Sequence, residues 1–204
     1  MSIMEAQFFE VDGVRVSRLE DARLVTGSGK FASDWNMPGQ LYGHFLRSDR
    51  AHARIVSLRV QAARGHPGVR AVLTGEDAMR AGYVQPVSFF NLTGKQGMRA
   101  LLPQWPVLAY GQVRFVGELV AFVVAESAHI AQDACGLIEI EYEELPVVVD
   151  CAKALAPAAA QLHENVPGNM PFECEAGDAA AVTAQFAAAS HVTRLRLAST
   201  RVVP

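Results

Sequence analysis

The sequence predicts an α/β domain, with α+β as the alternative: a mixed β-sheet carrying short helices. One observation is the run Leu119 to Ala125, nearly continuous Leu, Val, Ala and Phe over the length of a strand. A strand so apolar is buried on both faces and central to a sheet. The other is a double change of period just after it. Ile130, Ala131, Ala134 and Leu137 fall at helical spacing, and then Ile138, Ile140 and Tyr142 alternate with Glu139, Glu141 and Glu143 as the two faces of a strand.

In chain order, residues 1 to 12 read as a loose leader, and Val14 to Val25 mixes charged and apolar residues before the turn at Gly27 to Gly29. Phe31 to Asp34 is a candidate short strand, and Met37-Pro38-Gly39 a turn. Leu41 to Leu46 and Ile55 to Val60 are strand-length apolar runs, joined by a polar connection too long for a two-residue hairpin. Val69 to Leu73 reads as a strand, Glu76 to Ala81 as one or two helical turns, and Gly82 as their stop. Residues 83 to 106 form an irregular loop broken by Gly and Pro. Its apolar residues Phe89, Phe90, Met98, Leu101, Leu102 and Trp105 either pack on the domain or meet a partner.

Ser127 caps a helix that runs to Cys135 and that Gly136 ends. From Asp150 the texture becomes an Ala- and Pro-containing connector, residues 151 to 176. A second helix follows from Ala179 to Ala189 behind Asp178 as N-cap, and His191 to Val203 reads as an extended strand. The chain thus divides into a leader, a domain over 13 to 150, the connector, and the start of a further unit over 177 to 204.

Composition narrows the function classes. Half of the 204 residues are hydrophobic and 19% are charged, which fits a globular protein able to bury about 70% of its unfolded surface. The net charge of −3 supplies no basic face for nucleic acid. No apolar run reaches the length of a membrane span, and residues 1 to 12 lack the pattern of an export signal, so the expected location is the cytoplasm. Cys135, Cys151 and Cys174 are odd in number and widely spaced, fitting neither a disulfide framework nor a Cys-x-x-Cys metal site.

The short motifs favour structure over chemistry. Thr26-Gly27-Ser28-Gly29-Lys30 lacks the glycine spacing and the Ser/Thr of a phosphate-binding loop and reads as a turn; Thr93-Gly94-Lys95 fails the same test. Glu139, Glu141, Glu143 and Glu144 are either a solvated face or donors to a divalent ion that would need further oxygens from elsewhere. Six histidines show no metal-ligand spacing.

Leu46-Arg47-Ser48-Asp49-Arg50-Ala51-His52-Ala53-Arg54-Ile55 closely resembles a signature of the molybdenum hydroxylases, the family of xanthine dehydrogenase, aldehyde oxidase and the carbon monoxide dehydrogenase large subunit. Four further blocks follow the family order: Val16 to Gly27, Pro67 to Asp77, Val113 to Glu126 and Ile140 to Val148. The resemblance implies that residues 13 to 150 are the N-terminal a/b hammerhead domain. Residues 177 to 204 would then begin a truncated molybdopterin-binding domain.

In that family, a water-derived oxygen enters a substrate C–H bond at a molybdenum-pterin centre, and electrons leave through iron-sulfur clusters, often to FAD. Carbon monoxide oxidation is a variant. The family's catalytic glutamate and pterin-contacting loops lie C-terminal to the matched blocks. The resemblance therefore implies no catalytic, cofactor-binding or metal-binding residue here, and no cofactor bound by this chain alone. Arg47, Ser48, Ala51, His52, Ala53, Arg54, Gly117 and Glu118 are carried over as motif residues that hold a shape. Glu118 is expected to pair with Arg47 or Arg54, and His52 to orient its loop by hydrogen bonding. The implied role is a structural part of a molybdenum-cofactor oxidoreductase, with the remaining molybdopterin-binding domains, an iron-sulfur subunit and, as often in the family, a flavin subunit as partners. The alternative is a free-standing, non-catalytic binding or assembly module of the same fold.

Overall fold

A computed structural model describes residues 10–11, 14–15, 18–83, 92–103 and 105–197. Strands β1 (Glu10–Val11) and β2 (Val14–Arg15) pair antiparallel, so the first pairing begins inside the stretch read as a leader. Helix α1 covers Asp21–Val25. The candidate strand at Phe31 to Asp34 is instead a 3-10 turn over Ala32–Asp34. The Asp34 carboxylate reaches back to accept the Phe31 N–H at 2.8 Å, closing the chain on itself where a strand would stay open.

The main elements follow as β3 (Tyr42–Arg47), β4 (Ala53–Arg59), α2 (Gln61–Arg64), β5 (Val69–Thr74) and α3 (Gly75–Arg80). After them come β6 (Gln112–Val113), β7 (Leu119–Ala125), α4 (Ala128–Gly136), β8 (Glu139–Glu144) and α5 (Ala179–Ala188). One three-stranded sheet has the order β3-β7-β5 and the other β6-β4-β8, with short helices between strands, a mixed α/β fold. The apolar run is the central strand β7. Val120, Ala121, Val123 and Ala125 are buried, and its other residues keep partial exposure.

The chain forms two compact units. The first comprises Met1–Phe45, Arg59–Val72 and Phe122–Glu139, and the second Leu46–Leu58, Leu73–Ala121 and Ile140–Pro204. In the first, α2 packs on α4, where buried Ala63, Ala131 and Ala134 are small enough for close helix approach. Ser127 caps α4, its hydroxyl accepting the Ile130 N–H at 3.2 Å. The Phe45 and Phe122 rings stack with centroids 4.4 Å apart.

In the second unit the core is Ala53, Ala109, Val113 and Val120, with Ile55, Leu58, Ile140 and Tyr142 packed against it. Ile140 and Tyr142 of β8 face this core, as the alternation requires, while Glu141, Glu143 and Glu144 stay exposed. In β4 the core face passes from Ala53 and Ile55 to Leu58. Helix α3 opens on Gly75, where nothing larger fits: a Cβ there would lie 2.1 Å from the Ala109 carbonyl oxygen. Thr74 and Asp77 cap it reciprocally, the Thr74 N–H donating to Asp77 Oδ2 at 3.0 Å and the Asp77 N–H to Thr74 Oγ1 at 3.3 Å.

Two expectations for the C-terminal region part company. Asp178 caps α5 by accepting the Ala181 N–H at 2.9 Å, so the helix forms as read, yet none of its residues is buried. Residues 191–197 are not paired as a strand. Arg194 and Arg196 alternate with Leu195 and Leu197 in strand fashion, but a strand needs a neighbour, and both leucines stand about four-fifths exposed. Residues 198 to 203 of that expected strand, like Phe89 and Phe90 of the long loop, lie outside the described residues. Leu101, Leu102 and Trp105 of the loop are exposed.

Candidate functional site

The family-motif residues meet at a corner of the second unit. Between β3 and β4 the chain turns through residues 48–52, and between β6 and β7 through 114–118. Two backbone bonds join these turns: the Ser48 N–H donates to the Glu118 carbonyl at 2.8 Å, and the Gly117 N–H to the Ser48 carbonyl at 2.7 Å. The second turn is tight, with the Glu118 N–H donating to the Phe115 carbonyl at 3.2 Å. Gly117 occupies φ +91°, a left-handed conformation that a side chain would strain.

Each turn is then fastened by a side chain. Arg47 Nη1 donates to the Gly117 carbonyl at 2.9 Å. Ser48, 3% exposed, closes its own loop: Oγ accepts the Arg50 N–H and donates to the Arg50 carbonyl, both at 3.0 Å. His52 is buried, and its Nδ1 lies 2.7 Å from the Pro146 carbonyl oxygen. A carbonyl only accepts, so Nδ1 carries the proton. The His52 carbonyl in turn accepts the Leu145 N–H at 2.9 Å, tying the loop to the chain that leaves β8. Ala51 is half-buried in the bend, and Ala53 is wholly buried in the core.

The expected ion pair of Glu118 with Arg47 or Arg54 is not formed. Glu118 is 3% exposed, and its Oε2 accepts the Arg114 backbone N–H at 2.5 Å. Arg47 is engaged with Gly117, and Arg54 lies on the exposed side of β4, where its Nη1 meets Glu143 Oε2 at 2.5 Å. The strand alternation that buries Ala53 turns Arg54 outward, away from the buried carboxylate.

Burial pushes the Glu118 carboxyl upward in pKa. The Arg114 N–H and guanidinium, the Phe115 N–H and His52 pull the other way without cancelling it. Burial also raises the Tyr142 phenol; Asp49 and Glu118 add to this, against Ser48 and Arg50. The Tyr142 hydroxyl is shut off from solvent without a well-aligned hydrogen bond, although Ser48 is close enough to favour its ionised form.

The glutamates of β8 form a ladder with β4 and the turn that precedes it. Arg59 meets Glu139 at 2.8 Å, Ser57 Oγ donates to Glu141 at 3.2 Å, Arg54 meets Glu143, and Arg50 Nη1 meets Glu144 at 2.9 Å. Partners taken in opposite order along the two strands mean that these run antiparallel. The glutamates are thus matched, row by row, to cations and a hydroxyl. Among the described residues no group of three His, Cys, Asp or Glu is placed to hold a metal ion.

The three cysteines do not supply the four thiolates of an iron-sulfur cluster. Cys135 is buried in the first unit with Sγ donating to the His44 carbonyl at 3.6 Å, whereas Cys151 and Cys174 are exposed positions of the second. Arg114 and Tyr142 lie within the family-like blocks Val113 to Glu126 and Ile140 to Val148, but their contacts with the corner, like the bonds of Asn169 within its own loop, have no local sequence signal. Their roles depend on contacts between segments far apart in the chain.

The geometry defines a domain in which the buried side chains of Ser48, His52 and Glu118 are directed at its own backbone. Residues 26–146 match the family described as aldehyde oxidase and xanthine dehydrogenase, a/b hammerhead domain, and the chain belongs to that family. It is 36% identical to the carbon monoxide dehydrogenase large chain of Afipia carboxidovorans, over 94% of this chain and 24% of the relative. The nicotine 6-hydroxylase large subunit of Paenarthrobacter nicotinovorans is 43% identical over 71% of this chain and 17% of its own length. The crystal structure of quinoline 2-oxidoreductase from Pseudomonas putida 86 superposes with a TM-score of 0.63 at 44% identity, covering 71% of this chain and 18% of that one. The chain thus spans about a quarter or less of these relatives. No helix among the described residues is long and apolar enough to cross a membrane.

Proposed function

We propose that this chain is the N-terminal, shape-holding part of the large subunit of a molybdenum-cofactor oxidoreductase, one that hydroxylates a substrate or oxidises carbon monoxide. The observation that carries this reading is the corner itself. The polar side chains of Arg47, Ser48, His52 and Glu118 are spent on backbone carbonyls and amides of their own unit, as befits a scaffold. Arg47, Ser48, Ala51, His52, Ala53, Arg54, Gly117 and Glu118 hold the two turns and the adjoining strand in place. Molybdopterin and molybdenum belong to domains outside this chain, iron-sulfur clusters and FAD to partner subunits or domains, and the assembly is cytoplasmic.

Relatives named for carbon monoxide, nicotine and quinoline share this region, which supports placing substrate choice elsewhere in the protein. The test is elemental analysis of the whole gene product purified with its partners, beside the 204-residue chain alone. Molybdenum and iron in the first and neither in the second are expected. Molybdenum retained by the isolated chain overturns the proposal, and a whole product free of both metals would indicate the free-standing module.

A further inference from the structure

The stretch read as a connector contains a clasped loop. Asn169 sits at φ +55°, and its side chain joins three backbone groups: Oδ1 accepts the Leu162 N–H at 2.9 Å, while Nδ2 donates to the carbonyls of Ala154 at 3.0 Å and Ala160 at 2.8 Å. Its own N–H donates to the Val166 carbonyl at 3.2 Å, and the Val166 side chain is buried. One amide therefore uses acceptor and donors together to close residues 154–169, where a connector would leave these groups to water.

The same loop reaches the corner. Leu162, whose N–H is held by Asn169, offers its carbonyl to Arg114 Nε at 3.1 Å, and the Arg114 N–H is the donor to Glu118. We propose that Asn169 is the latch of a strap over residues 154–169, and that through Leu162 it positions Arg114 and so sets the turn that buries Glu118. Asn169 is a positioning residue: it touches neither Arg114 nor Glu118, and its effect passes through the two faces of the Leu162 peptide groups. Asparagine suits the site twice, by tolerating the left-handed backbone and by carrying both acceptor and donors. Aspartate would keep the acceptor alone, and glycine the backbone conformation alone.

Asn169→Gly in the full protein tests this, with hydrogen exchange read at single amides. Exchange at Leu162 and at Arg114 is expected to accelerate together, by about tenfold or more. Asn169→Asp is expected to loosen the strap less, and stands in should the glycine variant fail to fold. A second readout separates positioning from general loosening. With Arg114 displaced, ionised Glu118 loses a favourable neighbour, so the drop in melting temperature caused by Asn169→Gly grows between pH 5 and pH 8. In a Glu118→Gln background it becomes independent of pH. An unchanged Leu162 amide, a faster Leu162 with an unchanged Arg114, or a drop with the same pH dependence in both backgrounds overturns the proposal.

Discussion

Glu118 and Arg114 are joined at 2.5 Å through a carboxylate oxygen and a backbone N–H, across a turn in which Phe115 and Val116 are exposed. A buried carboxyl group is thus held directly beneath a surface turn, where peptide groups take the place of water. That substitution is incomplete, since burial still outweighs the donors and leaves the carboxyl easier to protonate than in an unfolded chain.

The pH dependence follows from this direction. The folded state binds the Glu118 proton more tightly than the unfolded state, so this group's stabilisation is fully present below the unfolded carboxyl pKa of 4.5 and is lost as pH rises through the raised folded value. Glu118→Gln keeps an oxygen to accept from Arg114 and removes the charge. Its melting temperature is expected to match or exceed that of the wild type at pH 8, and the gap to close by pH 4. A variant less stable than the wild type at pH 8 but level with it at pH 4 would show that charge-assisted bonding dominates burial.

His52 contributes one directed bond, from Nδ1 to the Pro146 carbonyl. His52→Ala leaves that bond unmade in a buried setting and is expected to destabilise by about 1–3 kcal/mol. His52→Asn, whose amide nitrogen lies near the position of Nδ1, should recover part of the loss. Urea unfolding of the three proteins measures both, and equal losses in the two variants would assign the effect to packing.

Gly75→Ala places a methyl group against the Ala109 carbonyl, a backbone atom that cannot swing aside. A loss of about 1–3 kcal/mol is expected, seen as a lower denaturation midpoint at unchanged slope. Alanine is ordinarily the better helix former, so a neutral or stabilising result would contradict the close approach.

The Arg–Glu ladder is exposed, and each rung is expected to be weak. A double-mutant cycle on Arg54 and Glu143 should give a coupling below about 1 kcal/mol at low salt. In about 1 M salt it should nearly vanish. Reversing one sign, as in Arg59→Glu against Glu139, sets like charges on neighbouring strands and should be worse than Arg59→Ala.

Local signals made much of this fold legible. Ser127 and Asp178 announced helices because a cap acts on an amide three residues away. The alternation of Ile140 and Tyr142 with the glutamates placed β8, because period two is a property of the strand itself. Two strand readings erred. Phe31 to Asp34 closed into a turn through one aspartate, and residues 191–197 kept a strand's alternation without a neighbour among the described residues.

By itself the sequence determined the family, through ordered blocks of short-range pattern, and with it the mixed α/β class. Only the tertiary structure decided where the charges go. It buried Glu118 against a peptide group, paired Arg54 with a glutamate 89 positions along the chain, and gave Asn169 three backbone partners within its own loop. The physical reason is range: caps and periods act over a few residues, whereas desolvation and ion pairing depend on which distant segments the folded chain brings together.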